Sequence, residues 1–232
     1  VVADLFPIFE SLPEEVSRFL PQDTHWTPEA MRRSAREVAR IVAGLEEDDS
    51  DGTSRSGQAQ RETTASQGPK QEKALPESGR EELVPEFSGD LVGMLELPAS
   101  DSSLSRESLR LRFPLAGESG VRVDEETASV ILLGDSFANI FEDGALGFAD
   151  KGETRMGAGF PSQFAAAMGQ SIQTIAINGG GATEVRKAFA GLPDVDVASK
   201  KTMVWLFSAR DLFLPELSSR RAQIEWDFVS LP

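Results

Sequence analysis

Apolar residues follow a regular pattern from residue 129 onward. SVILLGDSF is a continuous apolar run that ends at Gly134-Asp135-Ser136. GFPSQFAAAMG reads as a helix, SIQTIAINGGGA as a strand ending in glycines, TEVRKAFAGL as a helix, and KTMVWLFSARDL as a strand ending in a polar loop. Short unbroken apolar runs suit strands covered on both faces, and their alternation with helical stretches is the pattern of a parallel sheet. The predicted fold class is α/β: a three-layer parallel sheet with helices on both faces.

The first half of the chain is less regular. Residues 1–12 predict a helix with Leu5, Ile8 and Phe9 on one face, and EVSRFL (15–20) predicts a short strand. TPEAMRRSAREVARIVAGL then repeats apolar residues at helical spacing: Met31, Ala35, Val38, Val42 and Leu45. Thr27 suits the cap of that helix and Pro28 its first position. Residues 46–82 contain almost no large apolar side chain, so burial there cannot offset the entropy of ordering. They predict a disordered insertion or long loop. GDLVGMLELP (89–98) predicts a short helix, and SLRLRFPL, inside the ambiguous stretch 99–128, a strand. AQIEWDFVSL reads as an edge strand or the start of a further module. Residues 1–45 and 83–232 are thus expected to form one domain, interrupted at 46–82.

Composition narrows the function. The 232 residues carry a formal net charge of -15, which disfavours nucleic acid as a partner because phosphate binding needs clustered Lys and Arg. Cysteine is absent, so disulfides, thiolate metal sites and cysteine nucleophiles are excluded. With a single histidine, a zinc site would have to be built mostly from carboxylates, and neither a metal nor a cofactor is assigned. No stretch is long and apolar enough to span a bilayer. The chain starts VVADLFPIFE without an initiating methionine, which reads as a piece of a longer protein.

Ligands of open parallel sheets bind beyond the carboxyl ends of the strands. Four polar clusters follow apolar segments in this way: QDTHW, GDSF, NGGGAT and SARD. Ser136 falls where a strand meets a helix, a turn that exposes the hydroxyl and sets backbone N–H groups beside it. A serine nucleophile needs a base, and His25 is the only histidine. Asp23 is near enough to bond its Nδ1–H and hold the tautomer. Each feature also has a plain structural reading. Gly-Asp-Ser suits many turns, the histidine suits a packed position before a helix, Trp26 suits the core, and the triglycine at 179–181 suits a tight turn.

Taken together, ILLGDSF, NGGGAT and FSARD resemble successive blocks of the SGNH (GDSL-type) hydrolase superfamily. DTHWTPEAMR ahead of LLGDSFANIF is similar to the alginate O-acetyltransferase-like branch, in which Asp-x-His-Trp precedes Gly-Asp-Ser. The resemblance covers roughly 1–46 and 84–217. It implies Ser136 as nucleophile, His25 as base and Asp23 as orienting acid. The backbone N–H groups of Ser136 and Gly180 would then stabilise the oxyanion. The block that holds an Asn in the usual members reads Ser208-Ala209-Arg210-Asp211 here, which makes Arg210 the replacement oxyanion donor or a partner of Asp211. Arg155 and Trp26 are the candidate substrate contacts, with a solvated loop position as the alternative for Arg155. The resemblance further implies a periplasmic or otherwise extracytoplasmic protein, placed by an upstream signal or anchor. It would pass acetyl groups to an exopolysaccharide or cell-envelope glycan, with the acetyl donor supplied by a membrane O-acyltransferase. Two alternatives stay open: a carbohydrate acetylesterase using the same triad, and a polysaccharide-binding or assembly protein with a silent one. The negative charge opposes a polyanion such as alginate at low salt, even with residues 46–90 set aside, so a neutral or differently charged glycan stands beside it as acceptor.

Overall fold

The structure is a computed structural model that describes residues 1–50, 79–87, 89–96, 107–115, 120–144 and 157–209. The elements in chain order are α1 (Phe6–Ser11), α2 (Pro28–Ser50), β1 (Arg80–Phe87), α3 (Asp90–Met94), β2 (Glu107–Phe113), β3 (Val130–Gly134), α4 (Ser136–Asn139), α5 (Phe160–Met168), β4 (Gln173–Ala176), α6 (Gly181–Ala190), α7 (Asp194–Ser199) and β5 (Thr202–Trp205).

The regular half of the chain folds as its pattern predicts. β3 is the middle strand of a three-stranded sheet ordered β4-β3-β5, with Ile131 opposite Gln173 on one side and Val130 opposite Thr202 on the other. Both pairings are parallel. Every residue of β3 is buried, and successive residues serve different cores. Val130 and Leu132 join the cluster that holds Met31, Ala35, Phe160 and Phe164 of α2 and α5. Ile131 and Leu133 join Val185 and Phe189 of α6. A strand with apolar neighbours on both faces needs no alternation, which is why its sequence is an unbroken apolar run. The chain leaves β3 for β4 on one side and then crosses to β5 on the other, so the carboxyl end of β3 is the point at which the strand order reverses. Open α/β sheets bind their ligands at such a point.

The α/β expectation holds, but the sheet is small. The described residues form a three-stranded parallel sheet, with α2 and α5 on one face and α6 on the other, and a separate antiparallel pair, β1–β2, so a full three-layer parallel sheet is not seen among them. In β2, Leu109, Leu111 and Phe113 pack on the core and alternate with Arg110 and Arg112, the pattern of a strand with one solvated face. β1 reaches back to Arg80, inside the stretch expected to be disordered, and its pairing slips between Val84 and Phe87, around Pro85. α2 likewise runs past Leu45 to Ser50. The rest of that stretch, 51–78, lies outside the described residues, as does the expected strand near the end of the chain.

The strand expected at 15–20 does not form. The Arg18 guanidinium donates to the carbonyls of Phe9, Leu12, Pro13 and Val16, which draws that segment into an irregular loop. A single bridge between Phe19 and Trp26 remains. The Leu20 N–H donates to His25 O at 2.9 Å and the Thr27 N–H to Arg18 O at 3.0 Å, so residues 20–25 close into a turn. That turn ends directly at α2, where Thr27 Oγ1 accepts from the Ala30 N–H at 3.3 Å.

Candidate active site

Ser136 begins α4, two residues beyond the end of β3. Asp135 caps that single helical turn by accepting from the Phe137 N–H at 2.9 Å. A Cβ at Gly134 would lie 2.5 Å from the Ala138 Cβ, so only glycine lets α4 fold back this closely onto the strand. Ser136 is 8% exposed. Among the described residues nothing accepts from its backbone N–H, one of the orphan donors of a helix start. Asn139 ties the other end of α4 to the sheet, donating from Nδ2 to Ala176 O at 3.2 Å and to Asn178 Oδ1 at 2.8 Å.

The turn at 20–25 holds Asp23 and His25, both buried. Asp23 Oδ1 accepts from His25 Nδ1 at 2.6 Å and from the His25 backbone N–H at 2.9 Å. A carboxylate only accepts, so Nδ1 carries a proton, and in the neutral imidazole the lone pair falls on Nε2. Nε2 is itself buried and, among the described residues, has no hydrogen-bond partner, Ser136 Oγ included. Burial pushes the Asp23 carboxyl up. The bonds from the His25 side chain and from the Asp90 and His25 amides outweigh it and hold the group below the usual carboxylate range. Asp23 is therefore anionic at neutral pH.

The two turns meet through Phe137, the residue after Ser136. The His25 ring lies 4.8 Å from the Phe137 ring, centroid to centroid. Trp26 Nε1 donates to Phe137 O at 3.1 Å, a link between residues 111 apart in sequence. Trp26 also stacks on Phe160 of α5 with its centroid 5.7 Å away and is 3% exposed. It is a core residue that joins α2, α4 and α5. The expected substrate contact at Trp26 thus falls on a buried side chain.

One further acid, Asp90, and one amide side chain, Asn139, matter. Asp23 Oδ2 accepts from the Asp90 N–H at 2.9 Å, and the Asp90 carboxylate faces the same turn. The sequence pattern did not single out Asp90 or Asn139. Asp90 lies 67 residues from Asp23, beyond the polar stretch, and its only local signal is an acid in the first turn of a short helix. One donor atom each from Asp23, His25 and Asp90 lies within 4.8 Å of the others, the spacing of a metal site. The hydrogen bonds above already occupy Nδ1 and both Asp23 oxygens, so the cluster reads as an oriented imidazole.

A family model described as "SGNH hydrolase-like domain, acetyltransferase AlgX" matches residues 1–209. The chain belongs to this family. Among solved structures, the SGNH-like fold seen here is similar to the O-acetyltransferase domain of Pseudomonas putida AlgJ. The TM-score is 0.56 at 20% identity, covering 90% of this chain and 59% of that one. Pseudomonas aeruginosa AlgX matches at a TM-score of 0.44 and 18% identity, over 85% of this chain and 38% of that one. The chain thus spans less than two thirds of either. No match was found among curated proteins.

Within this SGNH hydrolase-like domain, the structure brings together the turns bearing Asp23, His25 and Ser136. Gly180, expected as an oxyanion donor, gives its N–H to Ile177 O at 3.0 Å in this structure, closing the turn after β4. Arg155, Arg210 and Asp211 lie outside the described residues. Among the described residues, no helix is long and apolar enough to cross a membrane.

Proposed function

We propose that this domain is an O-acetyltransferase acting on a bacterial exopolysaccharide or cell-envelope glycan, with Ser136 as nucleophile, His25 as general base and Asp23 as orienting acid. The observation that supports it most is the buried Asp23–His25 pair, which engages Nδ1 and leaves Nε2 as the ring nitrogen available beside the turn that carries Ser136. In the first half-reaction Ser136 Oγ attacks the carbonyl carbon of an acetyl ester as Nε2 takes its proton. The tetrahedral oxyanion accepts from the Ser136 N–H, with Arg210 as the second donor. Collapse breaks the donor C–O bond, and the leaving alkoxide takes the proton back from imidazolium. In the second, a sugar hydroxyl gives its proton to Nε2 and attacks the acetyl-serine, and the serine leaves with that proton.

Ser136 and His25 are not hydrogen-bonded in this structure, and catalytic hydrogen bonds commonly tighten only when substrate is bound. The depth of the pair bears on the acceptor. With Ser136 8% and His25 7% exposed, bulk water has little access to the acetyl-serine, and a groove that admits a sugar hydroxyl in its place is what this reading requires. The acetyl donor in this reading comes from a membrane O-acyltransferase, the domain works outside the cytoplasm, and Arg155 contacts the glycan.

The test is turnover of 4-nitrophenyl acetate by wild type, Ser136→Ala and His25→Ala, with and without acceptor oligosaccharides. Loss of turnover in both variants, with acetylated sugar among the wild-type products, is the expected result. Unchanged turnover in Ser136→Ala removes the assignment, and free acetate as the sole product shifts it to an esterase.

A further inference from the structure

We infer that Asp90 is a positioning residue for the imidazole, and that the Gly89-Asp90 corner clamps the Asp-x-His turn from across the chain. This deepens the triad reading and rests on it for the consequence on catalysis.

Three hydrogen bonds connect Asp90 to the turn. Its N–H donates to Asp23 Oδ2 at 2.9 Å. Its Oδ1 accepts from the Thr24 N–H at 2.8 Å, and its Oδ2 from Thr24 Oγ1 at 2.5 Å. A fourth bond, from the Leu91 N–H to Gln22 O at 3.2 Å, anchors the next residue of α3 to the same turn. Residues 22–24 are thus gripped one after another. The approach is so close that a Cβ at Gly89 would fall 1.9 Å from Gln22 O and 2.7 Å from the Asp23 Cβ, so any side chain there would drive the two segments apart.

The division of labour follows from the geometry. Asp23 has two oxygens: Oδ1 serves His25 twice, and Oδ2 serves Asp90. Without the second contact the carboxylate could rotate about its Cβ–Cγ bond, and the imidazole would lose its fixed partner. Asp90 also holds Thr24, the residue between the acid and the base, at both its backbone and its hydroxyl. Asp90 Oδ2 is 4.0 Å from His25 Nδ1, beyond hydrogen-bond range, so its influence on the ring passes through Asp23 and Thr24.

Asparagine at 90 preserves this grip. Its Oδ1 still accepts from the Thr24 N–H, its Nδ2 donates to Thr24 Oγ1, and its backbone N–H is unchanged. Alanine breaks both bonds to Thr24. Because His25 is the only histidine in the chain, its two ring nitrogens are the sole imidazole signals in a long-range ¹H–¹⁵N correlation spectrum. The experiment compares wild type, Asp90→Ala, Asp90→Asn and Thr24→Val by that spectrum at alkaline pH and by kcat and KM for 4-nitrophenyl acetate. The expected result is a Nδ1–H tautomer in wild type and Asp90→Asn. A mixture of tautomers is expected in Asp90→Ala and Thr24→Val, with kcat down by about 10- to 100-fold and KM little changed. A wild-type tautomer and wild-type kcat in Asp90→Ala overturn the inference. Should Asp90→Ala fail to fold, the same outcome in Thr24→Val does so. The two readings separate cleanly. Turnover that survives Ser136→Ala sinks the triad but leaves the tautomer result to judge Asp90, whereas serine-dependent turnover with an indifferent Asp90 sinks only the clamp.

Discussion

Replacing Asp23 by asparagine tests the site at its centre. In the native structure the carboxylate accepts three hydrogen bonds: from His25 Nδ1 at 2.6 Å, from the His25 N–H at 2.9 Å and from the Asp90 N–H at 2.9 Å. An amide has one accepting oxygen. If it faces His25, the NH2 group collides with the Asp90 N–H. If it faces Asp90, the NH2 group meets the His25 N–H and Nδ1, and the imidazole has to accept there, which moves its proton to Nε2 and removes the base. One or two buried hydrogen bonds to a charged group are lost either way. At about 1.5–3 kcal/mol each, this is a destabilisation of about 1.5–6 kcal/mol. The wrong tautomer in a serine triad costs about 10⁴ in kcat, or about 5 kcal/mol of barrier. Denaturant titration checks the first figure, and 4-nitrophenyl acetate turnover by the folded variant checks the second. If Asp23→Asn remains folded, carries its ring proton on Nε2 and still retains turnover within about tenfold of wild type, the argument that the tautomer set by Asp23 matters for catalysis is wrong.

Two other predictions concern pH and packing. The folded-state pKa of Asp23 is depressed, so the unfolded chain binds more protons near pH 4 and stability rises with pH there; the contribution is complete above about pH 5 and is lost as pH falls through the folded value. Denaturation midpoints measured from pH 7 to pH 3 should therefore fall more steeply for wild type than for Asp23→Asn, and parallel curves would refute this. Gly134→Ala sets a methyl 2.5 Å from the Ala138 Cβ and should lower stability by about 1–3 kcal/mol in a denaturant titration; an unchanged midpoint would show that α4 can move off the strand freely.

The α/β half of the fold was legible because its signals are local. An apolar run such as Val130–Leu133 is buried on both faces wherever it packs, and a helix such as α2 announces itself by the spacing of Met31, Ala35 and Val38. Thr27 and Pro28 start that helix as their chemistry dictates. Ser136 was legible for the same reason: a glycine, a capping acid and a hydroxyl at the end of a strand form a turn from their own short-range bonds.

What the sequence by itself determined, then, was the set of elements with short-range causes and, through the Asp-x-His and Gly-Asp-Ser motifs, the residues that could do chemistry. Tertiary structure decided what those residues touch. Arg18 turned an expected strand into a loop by collecting four carbonyls, and Trp26 went to the core because Phe137 and Phe160 enclose it. Gly180, free in the sequence to serve an oxyanion, spent its N–H on Ile177. Asp90 reached Asp23 across 67 residues, a contact without any periodic signature. The physical reason is common to all of these cases. Periodicity and capping are set by neighbours within a few residues, whereas a hydrogen bond between distant segments depends on where the whole core places them.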